Sequence, residues 1–250
     1  MNGMDDVDRI RAYYVAMLPY YDAAVEDRGD LPFWESIAKR WDSKRILELG
    51  CGTGRVTEVL GRRARVIAVD LLVEMVRHVP RRAPHAMLVV ADLRSFAFTA
   101  PFDLVVLADD PLAHVTSTDE RTKAMVLIAE HLAPEGRLVI EGLYRPRRNP
   151  LPVPMREIHR EGGEMFTVEE MWRPAAEDSV WNATYRYAQG SSIVEVESIQ
   201  RSWSRDEVDH LPDHGLTVES VWGDFDETPL EEDSLRIVIV ATRRATTAEC

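Results

Sequence analysis

Cysteines and long apolar runs are both scarce in this chain. Its 250 residues include two cysteines, Cys51 and Cys250, so no disulfide framework is expected and a reducing, cytoplasmic location is favoured. No apolar run approaches the roughly 20 residues that a membrane-spanning helix needs. The first eight residues are acidic, which is not typical of a secretory signal or a transit peptide. We therefore expect a globular protein without a membrane partner.

Basic side chains are also few relative to acidic ones. The chain has 30 lysines and arginines against 43 aspartates and glutamates, which gives a net charge of −13. A groove for nucleic acid needs a basic face, so we expect no nucleic-acid partner. An acidic surface mainly keeps a protein soluble, and it also suits weak long-range attraction of a cationic substrate such as an amine.

The most informative stretch is residues 45–55, where a short apolar run ends in three alternating glycines, Gly50, Gly52 and Gly54. An amphipathic segment, residues 56–60, follows them. This pattern predicts a buried strand, a tight turn and the start of a helix. Glycines let a backbone approach a ligand closely, and a helix N-terminus offers free N–H groups. The stretch is therefore interpreted as a nucleotide-like cofactor loop.

The spacing of the glycines narrows the choice of cofactor. A dinucleotide fingerprint would place glycine or alanine at position 55, where this chain has Arg55, whose side chain would crowd a pyrophosphate. The Gly-Lys-Ser/Thr of a P-loop is absent. An ordinary strand–helix turn would explain the glycines alone, but not Asp70, which closes the next predicted strand, residues 66–69. A carboxylate there can accept hydrogen bonds from both hydroxyls of a ribose.

The pattern Glu48-x-Gly50-x-Gly52-x-Gly54, with Asp70 beyond it, resembles motif I of the class I S-adenosylmethionine (SAM)-dependent methyltransferases. The resemblance implies that the loop wraps the methionine half of SAM and that Asp70 holds its ribose. Asp92 would accept from the exocyclic amine of adenine, although a plain turn residue is the alternative. SAM is then the cofactor, S-adenosylhomocysteine the product, and no metal is implied. The implied cofactor contacts are Tyr21, Glu48, Gly50, Cys51, Gly52, Gly54, Asp70, Leu71, Met75, Asp92, Leu93, Ala108 and Asp109.

Strands and helices alternate over residues 45–140, which predicts an α/β fold with a parallel, doubly wound sheet. In such sheets ligands bind beyond the carboxyl ends of the strands, where Gly50 to Gly54, Asp70, Asp92 and Asp109 lie. We expect one helix over residues 73–79 that Pro80 ends, and another over 119–132 whose exit Pro134 and Gly136 mark. The expected fold is a Rossmann-like, seven-stranded sheet divided into an N-terminal helical lid (1–44), a SAM-binding core (45–140), an antiparallel insert (141–203) and the rest of the core (204–250).

Tyrosines dominate the N-terminal segment, which has helical spacing until Pro19 is expected to interrupt it. In many small-molecule methyltransferases a segment ending in Tyr-Asp folds over SAM, although a hydrophobic flap is the alternative. The resemblance of this segment to antibiotic-tailoring N-methyltransferases implies that Tyr13 and Tyr21 shape the methyl-transfer cage. His114 is the candidate base, or else a loop histidine bonded to the backbone. The expected acceptor contacts are Tyr14, Asp110, His114 and Tyr144.

Two methyltransferase subclasses are excluded by motif. The Asp/Asn-Pro-Pro-Tyr of adenine- and glutamine-directed enzymes is absent, and Glu141-Gly142 stands where metal-dependent catechol-type enzymes need Asp-Asn. The lid, the loop from Asp109 to His114 and the insert resemble antibiotic-tailoring N-methyltransferases of the lincosamide type. We expect metal-free transfer to an amine of a small secondary metabolite. An O-methyltransferase acting on a hydroxylated metabolite and a non-catalytic SAM- or nucleotide-sensing protein are the alternatives.

Three tryptophans of the second half, Trp172, Trp181 and Trp203, are expected to be exposed. Aromatic side chains are enriched at subunit interfaces. They favour a homo-oligomer, and the antiparallel insert would either cover the substrate or make the subunit contacts.

Overall fold

The computed structural model describes residues 6–26, 28–145, 151–159 and 165–244. The helices are α1 (Asp6–Val25), α2 (Leu31–Arg40), α3 (Arg55–Gly61), α4 (Val73–Val76), α5 (Thr118–Glu130) and α6 (Arg205–Asp209). The strands are β1 (Arg45–Leu49), β2 (Arg65–Asp70), β3 (Met87–Val90), β4 (Phe102–Leu107), β5 (Leu132–Leu143), β6 (Leu151–His159), β7 (Met165–Pro174), β8 (Val180–Gln189), β9 (Ser192–Arg201), β10 (Leu216–Trp222) and β11 (Arg236–Arg243).

The chain forms two compact units. The smaller unit combines Met1–Gly29 with Arg147–Arg201, and the larger unit combines Asp30–Pro146 with Ser202–Cys250. Residues 31–40, which the sequence assigned to the lid, therefore belong to the larger unit as α2. The functional division into lid, core and cover stays a prediction.

The larger unit contains a seven-stranded sheet in the order β10-β11-β5-β4-β1-β2-β3. Strands β1 to β5 are parallel, and β11 is antiparallel to both β5 and β10. The central strands are apolar along their length because helices cover both faces. One face packs against α2 and α3, and the other packs against α5. This architecture confirms the predicted Rossmann-like sheet.

Two predicted helix ends in the larger unit are wrong. Helix α5 ends at Glu130, and β5 then runs through Pro134 and Gly136. Phe102 pairs with Leu132 but Leu104 pairs with Arg137, so residues 133–136 bulge out of the sheet. Gly136 is needed there because a Cβ atom would lie 2.6 Å from the Phe102 carbonyl oxygen.

The helix predicted over residues 73–79 is instead two short pieces. Helix α4 ends at Val76, and a 3₁₀ turn follows at Val79–Arg81. Pro80 lies in the first part of that turn, where a missing backbone N–H breaks no hydrogen bond. Pro80 therefore helps to start an element rather than ending one.

The smaller unit is a four-stranded antiparallel sheet, β6-β7-β8-β9, with α1 packed on β9. It confirms the predicted antiparallel insert. The sequence Gln189-Gly190-Ser191 also predicts a hairpin turn, and Gly190 lies between β8 and β9 with a positive φ of 57°. A second turn, which Glu161-Gly162-Gly163-Glu164 predicts, lies outside the described residues.

The predicted break at Pro19 is wrong, because α1 continues to Val25. Aromatic packing accounts for its persistence. Tyr20 stacks on Tyr187 with ring centroids 5.0 Å apart, and it lies 5.0 Å from Phe166. Burying these rings offsets the backbone hydrogen bond that proline removes.

The expected exposure of the three tryptophans is also wrong. Their exposed fractions are 3% for Trp172, 1% for Trp181 and 2% for Trp203. The prediction of a homo-oligomer loses this support and stays a prediction. Within the described ranges, none of the helices combines the length and the apolar character that crossing a bilayer requires.

Candidate cofactor and acceptor site

The glycine loop joins β1 to α3 at the carboxyl edge of the sheet. Gly50, Gly52 and Gly54 all have positive φ, at 78°, 55° and 91°, a conformation that side chains disfavour. The N–H groups of Gly50 and Cys51 both donate to the Val69 carbonyl oxygen, at 2.8 and 2.9 Å. The loop is therefore anchored to the end of β2, and its remaining backbone N–H groups lie at the start of α3.

Replacing Gly50 with alanine is expected to destabilise the fold by about 2–3 kcal/mol, from left-handed strain and overpacking together. A Cβ atom at this position would lie 2.4 Å from Pro111 Cβ, in the loop after β4. Chemical denaturation measures the change. Gly61→Ala is the matched control, because a Cβ there meets nothing within 4 Å, and its stability is expected to stay equal or rise slightly. Equal behaviour of the two variants would contradict the expectation.

Asp70 lies directly beside the glycine loop, as the sequence predicted. Its Oδ2 accepts from the Gly52 N–H at 2.8 Å, and its Oδ1 accepts from the Leu72 N–H at 2.9 Å. Burial raises the pKa of Asp70 against the lowering effect of these backbone hydrogen bonds. Each carboxylate oxygen retains a further lone pair, so the group can also accept from two neighbouring hydroxyls.

Glu48 has a supporting position under the loop. It is 1% exposed, its Oε2 accepts from Thr57 Oγ1 at 2.6 Å, and burial raises its pKa to about 8. Glu48 therefore links β1 to α3, and its predicted contact with the cofactor stays a prediction. Cys51 is also buried, and burial raises the pKa of its thiol, which makes it unreactive.

A buried ion pair behind the loop was missed by the sequence reasoning. The Arg55 guanidinium donates to both carboxylate oxygens of Asp30, at 2.6 and 2.8 Å, and Asp30 is 0% exposed. The indole of Trp34 donates to the same carboxylate at 3.1 Å. Arg55 thus anchors the first turn of α3 to the start of α2, and bidentate geometry makes such a pair strong. No local motif marks Asp30, which lies 25 residues before its partner.

Asp92 follows β3 and is held by Arg94. The Arg94 side chain donates to both oxygens, at 2.6 to 3.0 Å, and its backbone N–H donates to Oδ1 at 2.8 Å. Burial raises the pKa of Asp92, but the hydrogen bonds and charge of Arg94 outweigh it, so the net shift is downward. These contacts fit the turn role that the sequence left open. Recognition of adenine by Asp92 and Leu93 stays a prediction.

The loop after β4 is strained and firmly tied to β5. Asp109 and Asp110 both have positive φ, 58° and 47°, which is uncommon for residues other than glycine and typical of functional sites. The Asp109 N–H donates to Glu141 Oε2 at 2.8 Å, and Asp110 Oδ2 accepts from the Leu143 N–H at 2.6 Å. Asp109 is exposed whereas Asp110 is buried. The cofactor contacts predicted for Ala108 and Asp109 stay predictions.

His114 closes the 3₁₀ turn Pro111–His114 and is half-buried. Burial lowers the pKa of His114 to about 4. The imidazole is therefore neutral at physiological pH, and it can exchange hydrogen bonds with an acceptor but is a weak proton acceptor. Its role as a base stays a prediction.

The lowered pKa of His114 predicts a specific pH dependence. A histidine whose pKa is lower in the folded state than in the unfolded state contributes stability above the unfolded value, and that stability is lost as the pH falls. We expect the free energy of unfolding of the wild type, minus that of His114→Gln, to decrease as the pH falls from about 6.5 to about 4. Urea titrations at four pH values measure it, and a constant difference would contradict the assignment. The comparison cancels contributions from other titrating groups.

The remaining candidates are distributed over both units. Tyr13 and Tyr14 have ring centroids 4.9 Å apart, Tyr13 is 5.4 Å from Tyr185, and Tyr14 is 6.2 Å from Tyr21. Burial raises the pKa of Tyr13, which keeps its hydroxyl protonated. The roles of these tyrosines, of Tyr144 and of the neighbours Leu71 and Met75 stay predictions.

The fold and site geometry define a class of protein. The methyltransferase CcbJ from Streptomyces caelestis has a similar structure, with a TM-score of 0.75 and 19% identity over 86% of this chain and 96% of that chain. At that identity the likeness concerns the fold alone. The fold thus agrees with the motif around the glycine loop.

Sequence comparison assigns the core more specifically. Residues 46–136 match a family described as a methyltransferase domain, and these residues include the glycine loop, Asp70, Asp92 and the loop after β4. The match supports the predictions of a SAM-dependent methyltransferase and of SAM as its cofactor, and both belong to the proposed function.

Two curated relatives have different acceptors. The dTDP-3-amino-3,4,6-trideoxy-alpha-D-glucopyranose N,N-dimethyltransferase of Streptomyces venezuelae is 27% identical over 147 residues, 58% of this chain and 60% of that protein. The trans-aconitate 2-methyltransferase of Azoarcus sp. (strain BH72) is 33% identical over 103 residues, 40% of this chain and 39% of that protein. The chain thus matches 60% or less of the length of either relative.

Proposed function

We propose that the protein transfers a methyl group from SAM to an amine nitrogen of a small secondary metabolite, without a metal ion. When bound, SAM supplies a sulfonium-activated methyl group for an in-line displacement. Such a reaction needs an aligned, unprotonated amine and exclusion of water rather than a covalent enzyme intermediate. The chain's own residues would bind the cofactor, orient the acceptor and accept its hydrogen bonds.

One observation carries the proposal: the hydrogen bond from the Gly52 N–H to Asp70 Oδ2, at 2.8 Å. It joins a loop of left-handed glycines to a carboxylate that can also accept from a diol. This pair fits the ribose and the adjoining chain of SAM. The expected crowding of a pyrophosphate by Arg55 is wrong, because its side chain is turned into the buried pair with Asp30.

The choice of nitrogen rests on the relatives and on charge. Relatives from Streptomyces venezuelae and Saccharopolyspora spinosa are named as N,N-dimethyltransferases of nucleotide-linked amino sugars. The net charge of −13 favours a cationic amine during approach. Amino sugars are therefore the first acceptors to test. The resemblance to lincosamide-type enzymes adds secondary amines on a proline-like ring, which include the lincosamide precursor.

Methylation of oxygen is the second candidate function. Its support is the trans-aconitate 2-methyltransferase, which is 33% identical over 103 residues and acts on a compound that contains no nitrogen. An O-methyltransferase would share every proposed SAM contact with the N-methyltransferase, and the two functions differ only in the acceptor. The neutral imidazole of His114 is compatible with both.

A titration followed by an acceptor screen tests the proposal. Calorimetry with SAM, S-adenosylhomocysteine and NAD is expected to give micromolar binding of the first two and none of NAD. Labelled SAM is then incubated with nucleotide-linked amino sugars, cyclic secondary amines, phenols and tricarboxylic acids. Methyl transfer to an amine supports the proposal, and transfer only to oxygen supports the second candidate. Binding without transfer to any acceptor would instead indicate a SAM-sensing protein.

A further inference from the structure

A buried polar cluster lies behind the loop where the acceptor is expected. Its members are Asp110, Arg121, Trp203 and Glu207, whose side chains are buried or nearly so. They come from the loop after β4, from α5, from the segment before α6 and from α6 itself. Polar groups in such a position are retained only when they are held by specific partners.

Arg121 is the centre of this cluster and is 4% exposed. Its Nη1 donates to the Leu112 carbonyl oxygen at 3.1 Å, and its Nε lies 3.5 Å from Glu207 Oε1. The guanidinium lies over the Trp203 ring, 4.3 Å from the ring centroid. A planar cation of this kind can contact a carbonyl, a carboxylate and an aromatic face at once, which a lysine cannot do.

Trp203 is fixed from the other side by β5. Its backbone N–H donates to the Leu143 carbonyl oxygen at 2.7 Å. Its ring presses so closely on Gly142 that a Cβ atom there would lie 2.1 Å from Trp203 Cδ1. The Trp203 ring is therefore packed between β5 on one side and the Arg121 guanidinium on the other.

Asp110 connects the cluster to the loop after β4, where the acceptor is expected. Its Oδ2 accepts from the Leu143 N–H, and the positive charge of Arg121 lowers its pKa while burial raises it, to about 7 overall. The Trp203 indole also interacts with this carboxylate. However, among the described residues neither Asp110 Oδ1 nor Trp203 Nε1 completes a hydrogen bond. The Leu143 N–H thus holds one carboxylate oxygen of Asp110, and the other oxygen is buried without a hydrogen bond.

We propose that Arg121 and Trp203 are positioning residues: together they hold Asp110 and the Leu112 carbonyl, and thereby fix residues 110–114 in the geometry that the acceptor needs. The inference rests on the proposed function. It differs from a general stabilising role because it predicts a loss in acceptor kinetics without a loss in SAM affinity.

Steady-state kinetics on the full chain tests the proposal, with an amine found in the acceptor screen. Arg121→Met is expected to lower kcat/KM for the acceptor about 100-fold, because a charged hydrogen bond and the charge beside Asp110 are both lost. Its Kd for SAM is expected to stay within about twofold. Arg121→Lys keeps the charge and the fold, and is expected to recover part of the loss. Lys123→Met is the control, since it removes an exposed cation from the same helix.

Amide hydrogen exchange gives a readout that needs no acceptor. In Arg121→Met the N–H groups of Val115 and Leu143, which bond to Leu112 and Asp110, are expected to exchange about tenfold faster. Those of Gly50 and Cys51 are expected to keep their wild-type rates. If the wild type methylates no acceptor, the proposed function fails while exchange still decides the positioning. Wild-type kinetics in Arg121→Met, equal losses of kcat and SAM affinity, or unchanged exchange would each overturn the proposal.

Discussion

Replacing Arg55 with methionine is expected to lower the free energy of unfolding by about 3–5 kcal/mol. The substitution leaves the Asp30 carboxylate buried, with the Trp34 indole as its remaining side-chain donor among those described above. An isolated carboxylate in an apolar site is strongly disfavoured, and it would have to take up a proton or drag water into the core. Denaturant titration monitored by circular dichroism measures the loss.

Two further variants make the Arg55 prediction specific. Arg62→Met removes an exposed arginine that pairs with Glu58, and it is expected to change stability by less than about 0.5 kcal/mol. The double variant Asp30→Leu/Arg55→Met removes both charges, so it is expected to recover part of the loss. A single Arg55→Met variant as stable as Arg62→Met would show that the buried pair contributes little.

Replacing Asp70 with alanine is expected to weaken SAM binding about a thousandfold, or roughly 4 kcal/mol. The Asp70 carboxylate holds the Gly52 and Leu72 N–H groups, and charged hydrogen bonds of this kind each contribute about 1.5–3 kcal/mol. In the proposed function the same carboxylate also accepts from the ribose, so the substitution would remove both the shape of the loop and a contact with the ligand. Titration calorimetry measures the affinity.

The matched control for the Asp70→Ala variant is Asp103→Ala. Asp103 Oδ2 also accepts from two backbone N–H groups, those of Lys44 and Arg45, both at 2.9 Å. These contacts lie at the amino ends of β1 and β4, the edge of the sheet opposite the glycine loop. Asp103→Ala is therefore expected to reduce stability but leave the affinity for SAM unchanged. Similar losses of affinity in both variants would assign the effect of Asp70 to the fold rather than to the ligand.

Local sequence patterns were sufficient to predict the cofactor loop. Its strand, its glycines and the start of α3 follow one another in the chain. The apolar run, the glycines and the amphipathic segment therefore predict the strand, the turn and the helix without any long-range contact. The position of Asp70 also follows, because β1 and β2 are parallel and Leu49 pairs with Val69. In a parallel pair the carboxyl ends meet, which places Asp70 beside the loop.

The features that escaped prediction depend on contacts between distant segments. Asp30 and Arg55 pair across 25 positions, and neither has a neighbour that marks it as buried. A proline within a helix usually breaks it, yet the stacking of Tyr20 on Tyr187 keeps α1 intact across Pro19. The pKa of His114 depends on burial that its own turn does not determine. Tertiary packing therefore overrode local preference in each case.

The two-segment composition of the smaller unit has a consequence for synthesis of the chain. Helix α1 leaves the ribosome before β8, and Tyr187, on which Tyr20 stacks, follows Tyr20 by about 170 residues, which at ordinary elongation rates is roughly 10–30 s. Strands β1 to β5 are translated in that interval and can pair without waiting. Until β8 and β9 emerge, the aromatic face of α1 in the nascent chain lacks the sheet on which it packs. Chaperones can bind this exposed apolar surface in that interval.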